Sequence, residues 1–187
     1  MKKLGIMIIV LAAVVSSTSQ AKAGKNRDIS RDLIIDAPVD KVWAILGKDF
    51  ANAYVWASGV KHSEALNSES MNGSSCTERG CDVPGFGKIS EEMTGYSDED
   101  HLLSYKIVDG LPSMMAFAEN TWTLAQLPDG RTKVVMRLKA ETQGFMGWLM
   151  GGMMEKKMTK LIDNAIEELK FYVETGKVHP RAVAAAA

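Results

Sequence analysis

The chain predicts an α+β fold: a seven-stranded antiparallel sheet, two short helices after strand one, and a long C-terminal helix. Three observations carry that expectation. From Lys61 to Ala140, apolar residues recur at every second position in short runs broken by turn residues, with no helical stretch between them. From Trp148 to about Glu174 the period lengthens to three or four residues. The run Ile35-Asp36-Ala37-Pro38-Val39-Asp40-Lys41-Val42-Trp43 changes from strand to helix at a proline.

Ile29, Leu33 and Ile35 give a first strand over 28–35 one apolar face. Pro38 fixes φ near the helical value and needs no N–H partner, so it suits a first helical turn. Val39, Val42, Trp43 and Leu46 share a face of the short helices that reach about Tyr54. A second strand is expected near 61–66, a Ser/Asn/Gly-rich turn over 67–73 and a third strand over 74–81. A hairpin loop over 82–87 follows. Ile89, Glu91 and Met93 then share one face of a strand, opposite Ser90, Glu92, Thr94 and Tyr96. After the acidic turn 97–100, Leu103, Tyr105 and Ile107 form the inward set of a fifth strand, which Gly110-Leu111-Pro112 ends. Asn120, Trp122 and Leu124 share a face of a sixth strand over 116–127, and Asp129-Gly130 makes a hairpin turn. Val134, Met136, Leu138 and Ala140 face one way on the seventh, Lys133, Arg137 and Lys139 the other. Strands this close, without intervening helices, pair antiparallel and leave one face wet. Met150, Met154, Met158, Leu161, Ala165, Leu169 and Tyr172 mark the apolar stripe of the long helix. Gly176 suits its C-cap, Pro180 prevents continuation, and 182–187 reads as a disordered tail.

The N-terminus is a separate matter. Lys2 and Lys3, an apolar run from Leu4 to Val15, and Ala21-Lys22-Ala23 fit a signal peptide over 1–23 cut after Ala23. The apolar run is well short of the roughly 20 residues that a spanning helix needs. The expectation is therefore export to the periplasm or outside the cell, with a single domain over 24–181 and no stable membrane insertion after cleavage. Loss of Lys2, Lys3 and Lys22 would deepen the acidic excess of a chain already at net −1. With no basic block, that argues against nucleic acid or an anionic membrane surface as the main partner.

Cys76 and Cys81 are the only cysteines. In an oxidising compartment a close pair is expected to form a disulfide, contributing about 2 kcal/mol for so small a loop. Two cysteines at odd spacing on a regular strand face opposite ways, so Gly80 would have to turn the chain. The pair offers too few ligands for a metal, and His62, His101 and His179 are scattered, so neither metal nor cofactor is expected. No nucleophilic triad is visible.

The element order, together with Ala37-Pro38, Val42-Trp43, Asp49-Phe50 and Trp56, resembles the START-like superfamily, in its polyketide cyclase/dehydrase and lipid-transport branch. The resemblance runs from about Asp28 to Arg181. It implies a helix-grip fold, in which a curved seven-stranded antiparallel sheet wraps the C-terminal helix and leaves a cavity between them. Glu91 and Tyr105 sit where that family often shows Glu and Tyr on adjacent strands. Alternation makes Glu91, Met93, Tyr105, Asn120, Trp122 and Met136 candidate lining residues. The short helices add Trp56, and the long helix adds Met150 and Met154, whereas Met158 reads as core. A carboxylate between Ile89 and Met93 has to be paired (Arg79 and Arg137 are candidates), solvated, or protonated. Gly144, Gly147, Gly151 and Gly152 suggest a gate at the helix start. The leading reading is a binder or carrier of a small hydrophobic molecule, lipid or aromatic. The alternative is a cyclase/dehydratase-like enzyme with Glu91 and Tyr105 as acid/base groups. A third reading uses the Gly/Met-rich segment as a protein-interaction patch. Fold alone does not choose among them.

Overall fold

The computed structural model describes residues 24–186; the segment read as a signal peptide lies outside the described residues. The strands are β1 (Asn26–Ile35), β2 (His62–Ala65), β3 (Glu78–Val83), β4 (Gly87–Ser97), β5 (Leu102–Asp109), β6 (Met115–Gln126) and β7 (Thr132–Thr142). They form one antiparallel sheet in the order β1-β7-β6-β5-β4-β3-β2. β1 joins the far edge, with Ile29 opposite Leu138, so β2 is left at the other edge. Register shifts at Ser90/Glu91 and Met93/Gly95 in β4, and at Met115/Phe117 in β6, mark bulges, which bend and twist the strands that carry them.

Between β1 and β2 the chain forms α1 (Val39–Trp43), a π-type turn over Ala44–Lys48 and a 3₁₀ segment over Phe50–Val55. Val42, Trp43 and Phe50 are fully buried. The long helix α2 (Gly144–Thr175) crosses the sheet and buries Gly147, Gly151, Met154, Met158, Ile162, Ile166, Leu169 and Val173. This is the helix-grip architecture.

Two details of α2 differ from the sequence expectation. The helix begins at Gly144 rather than near Trp148, and its buried stripe takes Ile162, Ile166 and Val173 where Leu161, Ala165 and Tyr172 were expected. Glycines account for the earlier start, because they carry no hydrophobic signal yet pack closely. A Cβ on Gly147 would come within 2.8 Å of the Met114 carbonyl oxygen.

The expected disulfide is not formed: Cys76 and Cys81 are free and buried. Side chains bond the approach to β3, where the Thr77 carbonyl still accepts from Met93 N of β4 at 2.8 Å. Asn67 Oδ1 accepts from the Thr77 backbone at 3.0 Å, and Ser74 Oγ donates to the Cys76 carbonyl at 3.1 Å. The strand therefore starts at Glu78, not residue 74. From Glu78 to Cys81 the chain is extended and rises about 10 Å, so the segment between the cysteines is not the tight turn that would bring their Cβ atoms together. Gly80 does not turn the chain; it sits within β3 opposite Ser90, under Leu66.

The expected tail is also replaced, by α3 (Pro180–Ala186). Pro180 starts this helix rather than merely ending α2, His179 Nδ1 accepts from the Arg181 backbone at 3.1 Å, and the alanines favour helix.

Candidate functional site

The concave sheet face and α2 border a partly open cavity of about 180 Å³. Phe50, Ala53, Trp56 and Ala57 cover one side, strand residues form the wall, and Met158, Leu161, Ile162 and Ala165 come from α2. Glu168 anchors the covering loop from beneath. This fully buried carboxylate accepts from Ser58 N at 2.8 Å, Ser58 Oγ at 2.6 Å and Arg181 Nε at 3.0 Å, joining the loop to α2 and α3.

The polar part of the wall follows from register. Arg79 on β3 lies directly opposite Glu91 on β4, both inward, as a cross-strand ion pair. Arg79 Nε donates to Glu91 Oε2 at 2.8 Å, Nη2 donates to the same oxygen, and Nη1 donates to the Phe50 carbonyl at 2.6 Å. The guanidinium lies over the Phe50 ring at 4.0 Å and near the Tyr105 ring at 5.0 Å. The Cys81 thiol adds a contact to Glu91 Oε2 at 3.4 Å. Burial, the largest single influence, would lower the Arg79 pKa, but the attractions of Glu91, Cys81 and Tyr105 together with the hydrogen bond to Glu91 outweigh it and move the value up. Both charges are buried, so each depends on the other for solvation.

Tyr105 on β5 pairs with Asn120 on β6, and both line the cavity. The Tyr105 hydroxyl accepts from Trp122 Nε1 at 3.3 Å. Burial, reinforced by the negative charge of Glu91, pushes the Tyr105 pKa up to about 12. Burial likewise pushes the Cys81 thiol up to about 12. Among the described residues, Glu91 Oε1, the Tyr105 hydroxyl proton and the Asn120 amide have no hydrogen-bond partner. None of these groups is sealed away as a buried orphan, so they are the groups the wall can offer to an occupant.

The structure brings Trp56, Glu91, Tyr105, Asn120, Trp122 and Met136 into one lining. Trp56 and Trp122 meet edge to face at 6.4 Å. It does not bring Met93, Met150 or Met154 there. Met93 and Met154 are core, Met150 is half-buried near the helix start, and Met158, read as core, lines the cavity. The glycines expected to gate the cavity do not line it, since α2 meets it from Met158 onward. Sequence reasoning missed Arg79 as a wall residue, as well as Phe50, Ala118 and Ile162. The signal for Arg79 was present, because it shares the inward parity of Cys81 and Val83.

The chemistry available is recognition of a small, largely apolar molecule with one polar group. As an acid/base pair the two family positions are poorly poised: Glu91 is engaged by a guanidinium, and Tyr105 holds its proton far above neutral pH.

Comparison with known proteins agrees with this architecture. Among solved structures, a START superfamily protein from Mycobacterium smegmatis has a TM-score of 0.66 at 16% identity, covering 80% of this chain and 99% of its own. The Zhui aromatase/cyclase from Streptomyces sp. R1128 has a TM-score of 0.64 at 13% identity, covering 83% and 100%. A protein from Thermus thermophilus has a TM-score of 0.63 at 19% identity, covering 86% and 100%. At these identities the likeness is one of fold. No curated protein matches the sequence. The sequence pattern of the family described as polyketide cyclase / dehydrase and lipid transport matches residues 27–174, and the chain belongs to that family.

Proposed function

We propose that this protein binds and carries a small, neutral, hydrophobic molecule, with a ring and one hydroxyl-like group, in the cavity between the sheet and α2. The N-terminal pattern over 1–23 supports export, so the carrier would work in the periplasm or outside the cell. The observation that carries the proposal is the wall itself. An apolar lining surrounds an ion pair already neutralised internally, beside an acceptor at Glu91 Oε1 and a donor at Tyr105. A charged ligand would enter without a counter-ion, whereas a hydroxyl can donate to one group and accept from the other. Apolar cavities of about 150 Å³ hold benzene, so this one suits a substituted single ring.

The cyclase/dehydratase reading rests on Glu91 and Tyr105, and on the likeness to the Zhui aromatase/cyclase. The pairing of Glu91 with Arg79 and the raised Tyr105 pKa favour the carrier instead. The test is a titration of the protein with phenol, benzoate and benzylamine, followed by the fluorescence of Trp56 and Trp122. Phenol is expected to bind at least tenfold more tightly than either charged ring. Equal binding of all three, or a preference for benzoate, would refute the proposed ligand class.

A further inference from the structure

The outward face of the first turns of α2 plays no part in the cavity. Phe145 and Leu149 are 61% and 59% exposed, and Met146 and Met153 are about half exposed. At 3.6 residues per turn these four side chains form one stripe, opposite the buried Gly147, Gly151, Met154 and Met158. Trp148 stands at its edge, with its ring 6.0 Å from that of Phe145.

The same stripe becomes cationic as the helix continues. Lys156, Lys157 and Lys160 are exposed, and no ion pair engages them among the described residues. The acids beside them are already neutralised: Glu155 pairs with Arg27 at 2.8 Å and Asp163 with Arg31 at 2.7 Å. From Met153 to Lys157 the helix rises about 6 Å, within the depth at which an amphipathic face enters the headgroup boundary. No helix among the described residues is long and apolar enough to cross a membrane, so such contact would be peripheral.

We propose that this stripe docks the protein on an anionic phospholipid membrane, with Phe145, Met146, Leu149 and Met153 below the headgroups and the three lysines against their phosphates. The charge pattern selects this occupant, since an apolar tip bordered by unpaired lysines complements a lipid surface of negative charge. The net charge of the chain averages this local arrangement away, which is why composition alone points elsewhere.

The full chain carries its own reporter, because Trp43, Trp56 and Trp122 are buried and Trp148 is not. Vesicles of phosphatidylglycerol mixed with bromine-labelled phosphatidylcholine are expected to quench Trp148, and the Trp148→Phe protein should lose that quenching. A Lys156→Glu/Lys157→Glu/Lys160→Glu variant should need about tenfold more lipid or worse, and the Lys→Gln triple variant should fall between. This readout is local to α2, so lipid contact through residues 1–23 does not mimic the lysine dependence. Quenching that is equal on purely zwitterionic vesicles, or unchanged by the lysine variants, would overturn the proposal. So would a lipid-free dimer abolished by Phe145→Ser/Leu149→Ser, which would assign the face to a second copy of the chain.

Discussion

Arg79 and Glu91 decide what the cavity can hold, and their energetics can be separated. Breaking a buried pair from one side strands a charge, at a cost of about 3–5 kcal/mol. Glu91→Leu and Arg79→Met should each lose about that much in urea unfolding. The double variant should recover most of it, because apolar residues can replace the pair. A double loss equal to the sum of the singles would show that the two side chains are energetically independent. Arg79 was read from the sequence only as a possible partner for Glu91, although its parity with Cys81 and Val83 already placed it on the inward face, because a charged side chain carries no apolar signal for that face.

Tyr105 adds a pH dependence at the same scale. Its folded pKa of about 12 lies above the ordinary value of 10.0, so the folded state favours the protonated hydroxyl. Its stabilising contribution is complete below about pH 10 and is lost as pH rises toward 12. Cys81, raised from 9.0 to about 12, acts with the same sign over a window that opens lower. Tyr96 is also pushed up to about 12, by burial and then by Asp98. Absorbance titration should therefore show two late-ionising tyrosines in the wild type and one in Tyr105→Phe. Two late tyrosines in that variant would contradict the burial assigned to Tyr105.

Among the elements, the alternation of the strands was readable, but the start of β3, the bulge that turns Tyr96 from the expected outward face into the core, and the helix start were not. Period-two alternation placed Ile89, Leu103, Trp122 and Val134 on the buried face, because one side of the sheet is packed and the other wet. The start of α2 escaped notice because its packing residues are glycines. Two substitutions separate glycine as contact from glycine as weak helix former. Gly152 has nothing within 4 Å of a would-be Cβ, so Gly152→Ala should raise stability by about 0.5–1 kcal/mol. Gly147 faces the Met114 carbonyl and the Thr142 Cβ, so Gly147→Ala should lower stability despite its better propensity. Denaturant midpoints that move in the same direction would contradict this placement of the helix.

At the scale of the whole molecule, the cavity follows from three separate features. Bulges in β4 and β6 curve the sheet, α2 spans it without filling it, and Glu168 holds the covering loop through Ser58. The order of elements was legible because each carries its own periodicity. The size and polarity of the cavity were not, because they depend on which turns of α2 reach it and on the pairing of one arginine. The turns of α2 from Met158 to Ala165 reach the lining, whereas Met150 and Met154, nearer the helix start, do not. The most direct test of the account is phenol binding by calorimetry, for the wild type and for Ala165→Phe, which fills the cavity from α2 without touching Arg79 or Glu91. The account predicts saturable binding of one phenol to the wild type, a higher midpoint of unfolding with phenol present, and neither effect in Ala165→Phe. No binding to the wild type, or equal binding to a correctly folded Ala165→Phe protein, would contradict it.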